Sequence, residues 1–203
     1  MTRPREFNEM AAVQSAMNCF WQRGYEATSM RDLAASMGMS APSLYNAFGD
    51  KQSLFVRALE RYLDSNARDR VRRLESSRPP KEAIHRFFAE IVDHSINDRE
   101  RKGCFLVNSA LEVAPHQKEL GAVIAKQFGE IEAFFKRCIL GAQADGSTPR
   151  TVDANDTARL LLGVILGIRV LARSAPHRTL LEGMVRPALA LLDSRGRNRR
   201  KTR

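Results

Sequence analysis

Two sets of residues have types and spacings that could do chemistry. The first is Ala41, Ser43, Tyr45 and Asn46, which share the outer face of a short predicted helix. Small, polar and aromatic side chains on such a face suit the edges of base pairs in a major groove, where donors and acceptors differ for every pair. The second is Cys104 with His116, a thiol and an imidazole. They stand at opposite ends of one short predicted helix, and a rise of 1.5 Å per residue keeps them roughly 15 Å or more apart. That separation argues against a nucleophile and its base. The chain has no glycine-rich phosphate loop, no Ser-centred elbow and no cluster of metal-ligand residues. No cofactor, no metal and no catalytic residue is expected.

The elements that must position the first set lie between Ser29 and Lys51. Met30, Leu33, Ala34 and Met37 recur at i, i+3, i+4 and i+7, which makes one apolar helical face. Ser29 can cap that helix with Asp32 as its reciprocal partner. Gly38 follows the last periodic residue, where a left-handed cap costs glycine least. Ser40 is a second N-cap, and Pro42 lies in the next first turn, where its missing N–H is not needed. Leu44 and Phe48 point back into the pair.

Gly24-Tyr25, Thr28-Ser29, Leu33-Ala34, Gly38-Met39-Ser40, Leu44-Tyr45, Phe48 and Lys51 with Leu54 resemble, at their fixed spacings, the TetR/AcrR family of bacterial transcriptional regulators. The resemblance runs from about residue 10 to residue 60. It implies an all-α chain of about nine helices, with an N-terminal three-helix helix-turn-helix domain and a C-terminal helical ligand-binding and dimerisation domain. It also implies that Ser29, Arg31, Ala41, Pro42, Ser43, Tyr45, Asn46 and Lys51 fall on positions that touch DNA. The forked donors of Arg31 match guanine O6 and N7. Tyr45 would give its hydroxyl to a phosphate and its ring to a thymine methyl or a sugar. Asn46 would read an adenine edge or a phosphate. Ser29 and Lys51 would anchor phosphates. Ala41 and Ala47 are small where some relatives carry long polar side chains, which implies fewer direct base contacts.

The net charge of +10 over 203 residues invites a nucleic-acid reading by composition alone, and its distribution withdraws that reading. Residues 1–64 carry 7 basic and 7 acidic side chains, whereas the tail 195–203 carries 6 basic and none acidic. DNA binding therefore rests on the placement of a few charges. The organisation expected is a DNA-binding domain over 1–50, a connecting helix over 51–76, a second domain over 77–194 and a basic disordered tail over 195–203. Arg3 and Arg5 lie in an N-terminal arm that could reach a groove. Cys19, Cys104 and Cys138 are odd in number and lack metal spacing, as expected of a reduced, cytoplasmic chain. The start lacks an apolar signal-peptide core, and the longest apolar run, residues 160–168, is far short of a membrane span.

In the second domain, periodicity places helices at about 81–96, 104–113, 117–140, 153–174 and 177–193, with a loop from Gly141 to Arg150. The arginine run between Arg68 and Arg73 reads as a solvated face of the connecting helix. Phe87, Phe88, Ile91, Phe105, Phe128 and Phe135 could line a pocket for an unknown small-molecule inducer, with His94, Asn108 and Glu112 as polar handles. The helix at about 153–174 is apolar around most of its circumference, as a helix buried on two sides requires, and the helix after it adds further apolar residues. By resemblance they form a homodimer interface through Leu161, Val164, Ile165, Ile168, Leu181, Met184, Val185 and Leu189. Gly163 and Gly167 would let another backbone approach. A twofold dimer implies an inverted-repeat operator on double-stranded DNA, with half-sites one helical turn, roughly 34 Å, apart.

Gly103-Cys104 resembles a subgroup of these regulators with this pair at the start of a lever helix. Cys104 at that helix end, after Arg101 and Lys102, is a setting in which an electrophile or oxidant could modify a thiol. The reading is a repressor released by an inducer or by modification of Cys104. The alternatives are an adaptor that keeps the helix-turn-helix but acts through protein partners, and a cysteine-dependent enzyme.

Overall fold

The computed structural model describes residues 8–193, so Arg3, Arg5 and the basic tail lie outside the described residues. Within them all regular structure is helical: α1 Glu9–Arg23, α2 Met30–Met37, α3 Ala41–Phe48, α4 Lys51–Leu63, α5 Asp69–Ser77, α6 Pro80–Asn97, α7 Phe105–Glu112, α8 Lys118–Ala144, α9 Ala154–Ser174 and α10 Arg178–Ala190. A π turn, Asp64–Arg68, joins α4 to α5 without a non-helical residue. The expected 51–76 helix is therefore interrupted in its hydrogen-bond pattern, and counting it as one gives the nine helices read from the sequence. No helix among the described residues is long and apolar enough to cross a membrane.

α8 runs past the expected loop start at Gly141. A Cβ on Gly141 would stand 2.9 Å from Pro80 Cγ, so the glycine is a site of close packing and not a turn. Near the end of α8, Gln143 Nε2 donates to the carbonyls of Pro149 and Val152, which closes the connection to α9.

The chain divides into two compact units. Among the described residues, one runs to Arg68 and takes in Cys104–Ala125; the other comprises Asp69–Gly103 and residues 126–193. In the first, α1 packs on α2 and α4, with Ala16, Phe20, Leu33, Leu44, Leu54 and Phe55 almost fully buried. Burial of each such aliphatic or aromatic side chain contributes roughly 1.5–3 kcal/mol. The segment that begins at Cys104, read above as part of the second domain, joins this unit through Phe105. Its ring centroid lies 5.5 Å from that of Phe55, 5.7 Å from that of Tyr62 and 6.3 Å from that of Trp21.

In the second unit α6 packs on α5, α9 and α10, and α9 packs on α10. Phe87, Phe88, Phe134 and Phe135 are no more than 1% exposed and pack on one another with centroids 5.2 to 6.2 Å apart, mostly edge-on or tilted. The arginine run, expected to be a solvated face, is in part paired with α6. Arg70 and Arg73 both reach Glu90 on α6, at 3.2 and 2.6 Å, and Arg86 lies 3.4 Å from the same carboxylate. Arg68 instead pairs with Glu60 and Asp64.

Hydrogen bonding from Arg73, opposed by burial and helped by Arg70, holds the Glu90 carboxyl below its ordinary range. A carboxyl lowered on folding contributes stability above its unfolded pKa and loses it as pH falls through the folded one. Glu90→Gln is accordingly expected to flatten the acid limb of a urea-unfolding series taken from about pH 7 to about pH 3. An unchanged acid limb would mean that these ion pairs contribute nothing.

Candidate nucleic-acid interface

The α2–α3 pair is built from local hydrogen bonds. Ser29 Oγ accepts from the Asp32 N–H at 3.2 Å, and the Asp32 carboxylate accepts from the Ser29 N–H at 2.9 Å, which completes a capping box. The Ser29 hydroxyl, followed by the Ser29 backbone, holds the Asp32 carboxyl below its ordinary range, and Arg23 Nη1 lies 3.1 Å from it. Gly38 ends α2 at φ +64, a left-handed conformation natural to glycine. Ser40 Oγ then accepts from the Ser43 N–H at 3.2 Å, and Pro42 occupies the first turn of α3. Asp50 caps α4 by accepting from the Ser53 N–H at 2.7 Å. Each cap contributes on the order of 1 kcal/mol. Leu44 and Phe48 face inward.

What remains outside is the set read from the sequence. Ala41, Pro42, Ser43, Asn46 and Ala47 are exposed, and the Tyr45 side chain is 51% exposed. Gly38, Met39, Ser40, Ser43, Asn46 and Ala47 border an open recess of about 570 Å³. Arg31 is exposed, and among the described residues no acceptor pairs with it; the neighbouring Asp32 is taken by Arg23 and Ser29. Two of the set are partly committed. The Ser29 hydroxyl is used within its cap, so an anion at this end of α2 would meet backbone N–H groups. Lys51 Nζ lies 4.3 Å from the centroid of the Tyr25 ring and 3.5 Å from the Glu26 carbonyl oxygen.

One residue that positions this face was read otherwise. Glu112, taken above as a ligand handle, accepts a hydrogen bond from the Glu26 N–H at 3.0 Å. Its carboxylate also fills the place of a Cβ on Gly24, 2.6 Å away. It therefore clasps the turn between α1 and α2 from the end of α7. Gln52 Nε2, on α4, donates to Glu119 at 2.8 Å. The Tyr62 hydroxyl donates to Cys104 Sγ at 3.4 Å, and Cys104, half-buried, is the N-cap residue of α7. Cys138 is buried, and burial pushes its thiol up to about 12.

The aromatic pocket set is divided between the two units. Phe105 belongs to the first unit with Trp21 and Tyr62, as does the half-buried Asn108, whereas Phe87, Phe88, Ile91 and Phe135 are buried in the second and Phe128 is half-buried there. The rings of Phe87, Phe88 and Phe135 pack directly on each other, so those three make a core and line no cavity among themselves. The interface set divides as well. Leu161, Ile165, Ile168, Leu181 and Val185 are buried within one protomer, which removes their side chains from any outer surface. Val164, Met184 and Leu189 are half-buried, and Leu160, Val170 and Leu180 are exposed. A Cβ on Gly163 would meet open space, but one on Gly167 would lie 2.7 Å from Met184 Cε. Gly167 thus serves the α9–α10 contact.

Residues 12–58 match the family model described as bacterial regulatory proteins, tetR family, and residues 80–186 match the tetracyclin repressor-like C-terminal domain. The uncharacterized HTH-type transcriptional regulator YezE of Bacillus subtilis (strain 168) is 33% identical over 195 residues, covering 95% of this chain and 100% of its own. The HTH-type transcriptional repressor ComR of Escherichia coli (strain K12) is 32% identical over 172 residues, covering 84% of this chain and 82% of its own. A cysteine mutant of the TetR family transcriptional regulator CifR, complexed with 26bp double-strand operator DNA, superposes with a TM-score of 0.83 at 31% identity, covering 94% of this chain and 100% of that one.

Proposed function

Because the chain belongs to the TetR family of bacterial regulatory proteins, a family of DNA-binding transcription regulators and not of enzymes, we propose that it is a repressor that binds an inverted-repeat operator as a homodimer. The observation that carries this reading is the capped α2–α3 pair with Arg31, Ser43, Tyr45 and Asn46 turned outward. The repressor named ComR and the operator-bound CifR mutant support it. The place of action is the cytoplasm, where the operator is.

Release follows from binding of a small-molecule inducer or from modification of Cys104. For Cys104 the support is its position as the N-cap of α7, whose other end carries the Glu112 clasp. A ligand shifts the balance only as far as its affinities for the operator-binding and released states differ. The adaptor alternative draws on the neutral charge balance of residues 1–64, but an unpaired Arg31 on the outer face favours DNA.

The reading is tested by selecting genomic fragments with the purified protein, then footprinting at two salt concentrations. A footprint over an inverted repeat is expected. Weak, steeply salt-dependent binding with no shared sequence would leave only general attraction to phosphate. For the dimer, the exposed strip of α9 is the part to alter. Val164→Asp is expected to give folded monomers by sedimentation equilibrium, since Val164 is half-exposed beside Leu160 and open Gly163. A V164D dimer of unchanged affinity would remove α9 from the interface.

A further inference from the structure

Arg169 is the one charged side chain buried among the described residues, at 6% exposure in the C-terminal half of α9. Its Nη1 donates to Ser95 Oγ at 3.2 Å and lies 3.4 Å from His94 Nδ1, both on α6. No described carboxylate stands within 4.0 Å of it, and its Nε and Nη2 donate to no described group. The nearby acid, Asp98, accepts the Gly103 N–H at 2.8 Å and so holds its own loop. That loop lies against α9: a Cβ on Gly103 would be 2.8 Å from Arg173 Cγ and 3.6 Å from the Arg169 carbonyl oxygen.

The free Nε–Nη2 edge is not sealed from solvent, so an anion can reach it, and one of matched geometry lowers the cost of holding this largely buried cation without a counter-ion. The unspent edge of Arg169, Nε with Nη2, is the fork that takes the two oxygens of a carboxylate in parallel. We propose that Arg169 anchors a site for a small monocarboxylate with an apolar body, and that this is the chemical class of the inducer. The assignment of class rests on the repressor reading above; the site itself does not.

One carboxylate neutralises one guanidinium, whereas a phosphate dianion would bring surplus charge into a place with few further donors. With Nδ1 turned to Arg169, the His94 ring offers an Nε2–H as a second donor. Burial first, then Arg169 and Arg70, push the His94 imidazole down, which keeps it a neutral donor. One helical turn before His94 and Ser95, Ile91 and Val92 on α6 are buried and apolar, as are Ile165 and Ala172 on either side of Arg169 on α9, so the part of the ligand on that side is expected to be apolar too. The loop from Asp98 to Gly103 continues directly into Cys104 and α7, the helix that carries Glu112.

The test uses the full chain, with benzoate and hexanoate as probes, benzamide as the uncharged control and sodium chloride at matched ionic strength. Thermal shift and titration calorimetry are expected to show saturable stabilisation by the carboxylates and none by the controls. Arg169→Met should cut carboxylate affinity at least ~10-fold, the effect of about one charge-assisted hydrogen bond. The ligand-free variant should melt no lower than the natural protein, because no counter-ion is lost. If Arg169→Met does not fold, Arg169→Lys keeps the cation without the fork and should still lose affinity. Carboxylate binding that is absent from the natural protein, or as strong in the variants as in it, overturns the site. So does a dimer that dissociates in Arg169→Met, which would give the guanidinium to a carboxylate of a second copy. The operator footprint is run in parallel without carboxylate. A footprint without carboxylate binding removes this site and keeps the regulator; carboxylate binding without a footprint does the reverse.

Discussion

Replacing Arg31 with alanine is expected to weaken operator binding by about 10- to 100-fold while leaving the melting temperature unchanged. A bidentate arginine–guanine contact is worth about 1–3 kcal/mol of discrimination, and each 1.4 kcal/mol is tenfold. Arg31 is exposed and pairs with no described acceptor, so its loss removes nothing from the fold. Residues 1–64 have no net charge, so the face depends on single well-placed cations. Arg31→Lys separates the two contributions of the side chain. It keeps the charge and so should keep the salt dependence, but it lacks the fork and should not restore discrimination between operator and mutated operator. Fluorescence anisotropy with a labelled operator at two salt concentrations reads both. Unchanged operator affinity in Arg31→Ala would exclude Arg31 from the interface.

The recognition pair was legible because everything that makes it is local. Ser29 with Asp32, Gly38, and Ser40 with Ser43 interact across at most three or four residues, so spacing alone implies the caps. The faces of α4, α6 and α9 were legible for a similar reason, since apolar side chains recur at the helical period. Periodicity says that a face is buried but not by what. Leu161 and Ile165 read as interface and are core, while Leu160, one position away, is left outside. Phe105 carries the same apolar signal as Phe87 yet packs with Trp21, Phe55 and Tyr62 in the other unit. Charge patterns hide partners in the same way. Arg70 and Arg73 sit in a run that looks solvated until α6 brings Glu90 to them. Arg169 gave no signal beyond one cation in an apolar stretch.

Gly24→Ala is expected to be the most damaging single-methyl change in the first unit, at about 2–4 kcal/mol. Gly24 has φ +85 and ψ 168, a region almost closed to residues with a Cβ, where strain costs on the order of 1–3 kcal/mol. The added methyl would also stand 2.6 Å from the Glu112 carboxylate and displace it from the Glu26 N–H. That hydrogen bond is exposed, so its loss adds only about 1 kcal/mol. The turn it holds is otherwise fixed by Thr28, whose hydroxyl donates to the Gly24 carbonyl at 2.6 Å, and by Tyr25, whose ring centroid is 4.9 Å from that of Phe55. A total near 3 kcal/mol is a large part of the 5–15 kcal/mol typical of a folded domain. Urea unfolding followed by the single tryptophan, Trp21, which lies 5.0 Å from the Tyr62 ring, reports on this unit directly. The two causes separate in a double-mutant cycle. In a Glu112→Ala background the methyl meets no carboxylate, so Gly24→Ala should cost about 1 kcal/mol less than in the natural chain, and the backbone strain should remain. Equal costs in both backgrounds would show that Glu112 does not bear on the turn. A neutral Gly24→Ala would show that the turn adopts another conformation, and with it that α7 does not clasp the approach to α2.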